Sequence, residues 1–285
     1  MASLKNWLAL IRYEHSIMVA IAILISEALA SKFAGVPFSV FSNSALFPAL
    51  GPALITAAAF ALNDYFGYET DKTNKRTERP IVSGKISKNS ALRFSFILYA
   101  LGLLLSLFVN FACFSVAIVY SILSVAYDPV LKKKPFLGNM FIASSMSVSF
   151  LYGNFVVSSK LFDTTLFFIL IAFVAGIGRE LLITLRDVKG DKKIGAVTVP
   201  MLIGSEKTAK LSAVFFGIAI LASWLPFLQN FHLFYFILIA LNNILLLYSI
   251  FLVLRSQSLE VLKKCRNLTL RALMLGLVAF AALAF

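Results

Sequence analysis

Asn63, Asp64 and Asp71 stand where an apolar run, Pro52 to Leu62, gives way to the charged segment NDYFGYETDKTNKRTERPIVSG. A second acidic group, Asp187 and Asp191 in RELLITLRDVKGD, closes another apolar run far along the chain. On a helix turning about 100° per residue, Asp64 and Asp71 are roughly 20° apart and Asn63 and Asp71 roughly 80° apart, so all three can face one cavity. Asp187 and Asp191 are spaced i, i+4 and share a face. Carboxylates crowded at a partly dehydrated helix end repel one another unless a cation lies between them, and their hard oxygens suit Mg²⁺. Mg²⁺ held by few carboxylates completes its shell with substrate phosphate. Lys72 and Lys75 add to the charge of the segment, and the bases that would hold such a phosphate are close by: Arg76, Arg79 and Lys85 after the first cluster, Lys132, Lys133 and Lys134 between the clusters, Arg179 and Arg186 around the second. A metal-bridged diphosphate is the ligand these groups jointly describe. Other readings stay open at this level: Asp187 and Asp191 as solvated loop charges balanced by Arg186, Lys189, Lys192 and Lys193, Asn63 as a helix cap, and Arg79-Pro80 as a turn.

The elements that must position these groups are membrane helices. The chain is 60% hydrophobic with a mean hydropathy of +0.90, too apolar for a water-soluble domain, and apolar runs of about 20 residues recur along it. Spans are expected near 15–33, 44–62, 90–109, 111–127, 140–157, 162–182, 209–227, 233–254 and 267–285. The fold class is therefore all-α, a polytopic membrane protein forming one bundle over residues 1–285. Lys5 and Arg12 before the first run imitate a signal peptide, but the further spans favour a first membrane helix. With loops alternating sides, all but Lys32 and Lys160 of the 26 Lys and Arg fall on one face, which the positive-inside rule makes cytoplasmic. The N-terminus and both acidic clusters then lie on the cytoplasmic side. The net charge of +13 belongs to that membrane face and is no nucleic-acid footprint; many of these lysines serve simply to hold anionic headgroups. Cys113 and Cys265 fall near opposite sides, which argues against a disulfide. His15 and His232 are likewise separated and have no zinc-type partners. No serine elbow, phosphate loop or dinucleotide fingerprint is present.

The motifs resemble those of the UbiA superfamily of intramembrane prenyltransferases. NDYFGYETD is similar to the family's NDxxDxxxD, RPIVSGKIS to its continuation, YDPVLKKKPFLGN (Tyr127 to Asn139) to YxxxLKxxxxxGN, and DVKGD (Asp187 to Asp191) to DxxxD. The resemblance spans residues 8 to 210 or so and implies nine helices around a central cavity. It implies Mg²⁺ held by Asn63, Asp64, Asp71, Asp187 and Asp191, with Asp71, Asp187 and Asp191 central to catalysis. Arg79, Lys132 and Arg186 would contact the diphosphate, and Tyr127 would orient the diphosphate or a developing cation. Arg12 and His15 are candidates for the acceptor's phosphate, Arg12 alternatively reaching to lipid headgroups. Within the family the tone around RELLITLRDVKGDKKIGAVTVP is most similar to the archaeal digeranylgeranylglyceryl phosphate synthases. That subfamily joins geranylgeranyl diphosphate to geranylgeranylglyceryl phosphate within the bilayer.

Two departures matter. Gly67 stands where the first motif has its middle aspartate, and Ile183-Thr184 replaces the Lys-Asp of many relatives. Quinone-forming aromatic prenyltransferases share the same motifs and remain an alternative. A polytopic transporter or a non-catalytic lipid-binding relative are rival classes.

Overall fold

The computed structural model describes residues 3–40, 42–73, 76–193, 195–229 and 231–284. Among the described residues all regular structure is helical, in the order α1 (Leu4–Ile11), α2 (Tyr13–Ala34), α3 (Asn43–Phe66), α4 (Tyr68–Thr73), α5 (Lys88–Val109), α6 (Phe111–Tyr127), α7 (Leu137–Val157), α8 (Asp163–Lys193), α9 (Val199–Ile203), α10 (Ser205–Ala222), α11 (Leu233–Arg255) and α12 (Leu259–Ala284). Among the described residues eight helices are long and apolar enough to cross a bilayer. The expected span 111–127 is present as α6 but has only 17 residues, about 25 Å against a hydrocarbon core of ~30 Å. The expectation of nine full-length spans is corrected on that point. Asn110 sets the limit, separating α5 from α6 and accepting from the Cys113 N–H at 2.8 Å to cap the new helix.

Perimeter side chains such as Phe108, Phe111, Leu221, Leu228 and Phe234 are exposed, a surface suited to lipid chains and not to water. The protein is a multi-pass membrane protein. With lipid outside, helices gain little from burying apolar surface against one another and depend on close contact. Two glycines permit it. A Cβ on Gly102 of α5 would lie 2.7 Å from the Gly51 carbonyl oxygen of α3, and one on Gly153 of α7 would lie 2.5 Å from the Ile23 carbonyl oxygen of α2.

Three features carry the site. α8, at 31 residues, is about 46 Å long and outruns the hydrocarbon core, so its last turns carry Arg179 to Asp191 toward one end of the bundle. α3 ends at Gly67, whose N–H bonds the Asn63 carbonyl at 2.8 Å, and the chain restarts as α4, which places Asp71 on a separate short helix. Arg12 sits between α1 and α2 in the left-handed region (φ 46°), a conformation strained for a side chain of this size and held by α1 packing, where Trp7 meets Phe94 with ring centroids 4.6 Å apart.

Candidate active site

A cavity of about 1630 Å³ opens within the bundle, and Asn63, Asp71, Asp187, Asp191, Tyr127, Arg79, Lys132, Arg186, Arg12 and His15 all line it. Residues chosen from distant parts of the sequence thus share one hollow. Lys75 and the Lys189 side chain lie outside the described residues.

Asp64 is placed differently. Its side chain is 1% exposed and sits behind the wall, accepting from Arg12 at 2.6 Å and from Arg79 at 3.1 Å. Two guanidinium groups share this one carboxylate. Arg12 also approaches the Asn63 side-chain oxygen at 3.5 Å and lies 4.5 Å over the Phe60 ring. Asp71 accepts from Arg76 at 3.0 Å, with Arg79 Nε 3.9 Å from its second oxygen.

Asp128 was not anticipated. It directly follows Tyr127 at the end of α6, accepts from the Asn63 amide nitrogen, which lies 3.0 and 2.9 Å from its two oxygens, and pairs with Lys132 at 3.2 Å. Burial raises its carboxyl above the ordinary value, with Lys132 opposing. The same signal that marked Asp64, an acid ending an apolar run, is present in YDPV. On α8, Arg186 holds the neighbouring Asp187 through two bonds of 2.7 and 2.5 Å. One turn on, burial lifts the Asp191 carboxyl to about 6, with Lys132, Arg186 and Arg76 pulling it down and Asp187 adding to the rise. Arg76 therefore bonds Asp71 and also acts on Asp191, and Lys132 does the same for Asp128 and Asp191. The ends of α3, α6 and α8 face one another through shared cations.

Among the described residues no three acids or histidines are already gathered as a metal site; the carboxylates are parted by arginine and lysine. The donor set nonetheless fits Mg²⁺ brought in with an anionic ligand. Asp128 and Asp191 are carboxyls whose charged form is under-compensated, and the Nε atoms of Arg12 and Arg79 are buried without an acceptor. A buried carboxyl whose charge is not fully met gains from a cation, and unpaired guanidinium gains from anionic oxygen. Gly67 lines the same cavity. A Cβ there would meet the Asn63 carbonyl oxygen at 2.9 Å and Asp71 Oδ2 at 3.7 Å. Thr184, the second departure, accepts from Asn139 at 2.7 Å and donates to the Glu180 carbonyl, tying α7 to α8. Away from the charges the wall turns aromatic and apolar: Tyr127 and Phe141 lie 5.3 Å apart, followed by Ile142, Met146, Leu273 and Phe280.

A model of the UbiA prenyltransferase family matches residues 19–283. A digeranylgeranylglyceryl phosphate synthase of Thermococcus kodakarensis is 37% identical over 79% of this chain and 79% of its own length. The protein of that name from Archaeoglobus fulgidus is 33% identical over 100% of this chain and 98% of its own length. Among solved structures, one from work on digeranylgeranylglyceryl phosphate synthase in membranes superposes with a TM-score of 0.79 at 30% identity, covering 100% of this chain and 99% of that one. A UbiA homolog from Archaeoglobus fulgidus bound to GPP and Mg²⁺ has the same fold, with a TM-score of 0.68 at 18% identity over 96% of this chain and 99% of its own. A match of this length, carried by motif residues that meet in one cavity, makes the chain a member of the UbiA prenyltransferase family and a membrane-embedded prenyltransferase.

Proposed function

We propose that the protein transfers a geranylgeranyl group from geranylgeranyl diphosphate to the free hydroxyl of geranylgeranylglyceryl phosphate, making the second ether bond of an archaeal membrane lipid. The observation that carries this reading is the shared cavity: Asn63 of α3, Asp71 of α4, Asp128 just after α6, Asp187 and Asp191 of α8 and the arginines that follow α4 meet in it, and an apolar hollow continues beyond them. The relatives named digeranylgeranylglyceryl phosphate synthase support the choice of substrates.

Asn63, Asp71, Asp187 and Asp191 would hold Mg²⁺, with Asp128 orienting the Asn63 amide. Bound there, Mg²⁺ supplies neutralisation of the charge that grows on the diphosphate. Arg79, Arg76, Lys132 and Arg186 grip diphosphate oxygens, and Asp64 holds Arg12 and Arg79 at the cavity edge. As the allylic C–O bond breaks, its electron pair leaves with the diphosphate. Tyr127 and Phe141 present ring faces to the allylic cation that remains. The apolar wall keeps water from it until the acceptor hydroxyl oxygen forms the new C–O bond, and the hydroxyl proton passes to the departing diphosphate, the nearest base. The charged end of the cavity faces the cytoplasm, consistent with the lysine and arginine bias of the loops.

The test is to incubate purified protein with Mg²⁺, geranylgeranyl diphosphate and a panel of geranylgeranylglyceryl phosphate, 4-hydroxybenzoate and a naphthoate, identifying products by mass spectrometry. Product from the glyceryl phosphate lipid alone is expected. Efficient prenylation of either aromatic acid would replace this reading with an aromatic prenyltransferase.

A further inference from the structure

The cavity has a second charged wall that the diphosphate leaves unused. Along one face of α12, Lys263, Arg266 and Asn267 line the cavity at one end, and Leu270, Leu273 and Leu277 continue the same face at helical spacing. Arg179 of α8 lines the cavity too, with its side chain 11% exposed. Its Nε is buried without a partner, and its one carboxylate contact, Glu180, is at 3.4 Å. Among the described residues neither Lys263 nor Arg266 joins an ion pair. Arg266 is near enough to Arg179, and to His15, for their charges to act on one another.

The two charged walls differ in kind. Around Asp71, Asp128, Asp187 and Asp191 the acids match the bases, so a diphosphate binds there only with metal to tip the balance. At the α8–α12 wall Arg179, Arg266 and Lys263 come together, and among the described residues Glu180 is the one carboxylate paired with any of them. Such a wall binds a dianionic phosphate without metal. Arg12, the cation expected from sequence to take this role, has its terminal nitrogen bound to Asp64. Resting on the substrate reading above, we infer that Arg179, Arg266 and Lys263 form the subsite for the phosphate monoester of the acceptor lipid, whose hydrocarbon lies along Leu270, Leu273 and Leu277. Two anionic head groups thereby enter one cavity without competing: the donor's on the acid-bearing, metal-requiring side, the acceptor's on the cationic side.

The experiment has a binding arm and a kinetic arm. In EDTA, detergent-solubilised protein is titrated with geranylgeranylglyceryl phosphate, with its phosphate-free alcohol, and with geranylgeranyl diphosphate. The phosphate lipid is expected to bind without metal, more tightly than its alcohol by about tenfold or more, and the Lys263→Gln/Arg266→Gln double variant is expected to lose that preference. Both side chains are exposed and both line the cavity, so the variant should fold; an unchanged unfolding midpoint establishes that, and Arg266→Lys should restore part of the affinity. In turnover, the double variant should raise KM for the phosphate lipid while KM for the diphosphate stays put. Equal weakening of both substrates, unchanged binding of the phosphate lipid, or metal-dependent binding of that lipid would each overturn the inference. Absence of product from the wild-type protein would instead sink the substrate reading, and the metal-free titration would still decide the subsite.

Discussion

An Asp191→Asn exchange removes one negative charge from the end of α8 at nearly constant volume. Burial, first among the causes, holds this carboxyl at about 6 against an ordinary value of 3.8. A shift of roughly two units corresponds to about 3 kcal/mol if fully realised, and partial solvent access reduces the working figure to about 1 kcal/mol. A folded-state value above the unfolded one means that ionisation costs the folded state energy, a cost absent below 3.8, growing up to about 6 and complete above it. In EDTA at about pH 7.5 the asparagine variant should therefore be the more stable protein, by about 1 kcal/mol or roughly 2–4 °C, and the gain should shrink to little at about pH 4. Addition of Mg²⁺ with a non-reactive geranylgeranyl diphosphate analogue should reverse the order, raising the wild-type midpoint and leaving the variant behind, while Mg²⁺-dependent turnover falls by about 10²-fold or more. Thermal unfolding in detergent and product formation by mass spectrometry read the two halves. A variant less stable than wild type in EDTA would show that Arg76, Lys132 and Arg186 already satisfy Asp191, and unchanged turnover would remove it from the metal site.

Asp64→Asn should behave in the opposite way, losing about 3 kcal/mol in metal-free buffer because Arg12 and Arg79 are left facing each other at a mostly buried position; an unaltered unfolding midpoint would mean that the pair is not a structural hub. Gly67→Asp brings a Cβ to 2.9 Å from the Asn63 carbonyl and 3.7 Å from Asp71 Oδ2, so it should cost about 1 kcal/mol without metal. The same variant should lower the Mg²⁺ concentration for half-maximal activity, and no change there would mean that the acids present already complete the site. Gly153→Ala places a methyl 2.5 Å from the Ile23 carbonyl oxygen and should cost about 2 kcal/mol by forcing α7 away from α2, read as a lowered unfolding midpoint; no loss would mean that the two helices are not locked in contact.

The membrane class, the helical architecture and the two acidic clusters were legible in the chain because each is a local property. A run of apolar residues reports a span, and an i, i+4 pair reports a shared face, without reference to anything distant. The ninth span is shorter than its hydropathy suggests for a related reason: hydropathy registers Phe111–Tyr127 as apolar but not that Asn110 cuts the helix to 17 residues.

What each charged group does was decided by partners far away in sequence. Asp64 and Asp71 look equivalent on a helical wheel, yet α3 ends at Gly67 and Arg12, 52 residues from Asp64, closes over it. Asp128 gained its place from the Asn63 amide 65 residues away. Lys263 and Arg266 read as ordinary basic residues at a helix start until α12 packs against α8 and turns them into the cavity. Local sequence sets where charge resides along the chain. Only the folded bundle sets which charges meet, because the strength of an electrostatic contact depends on distance and burial, and helix packing determines both.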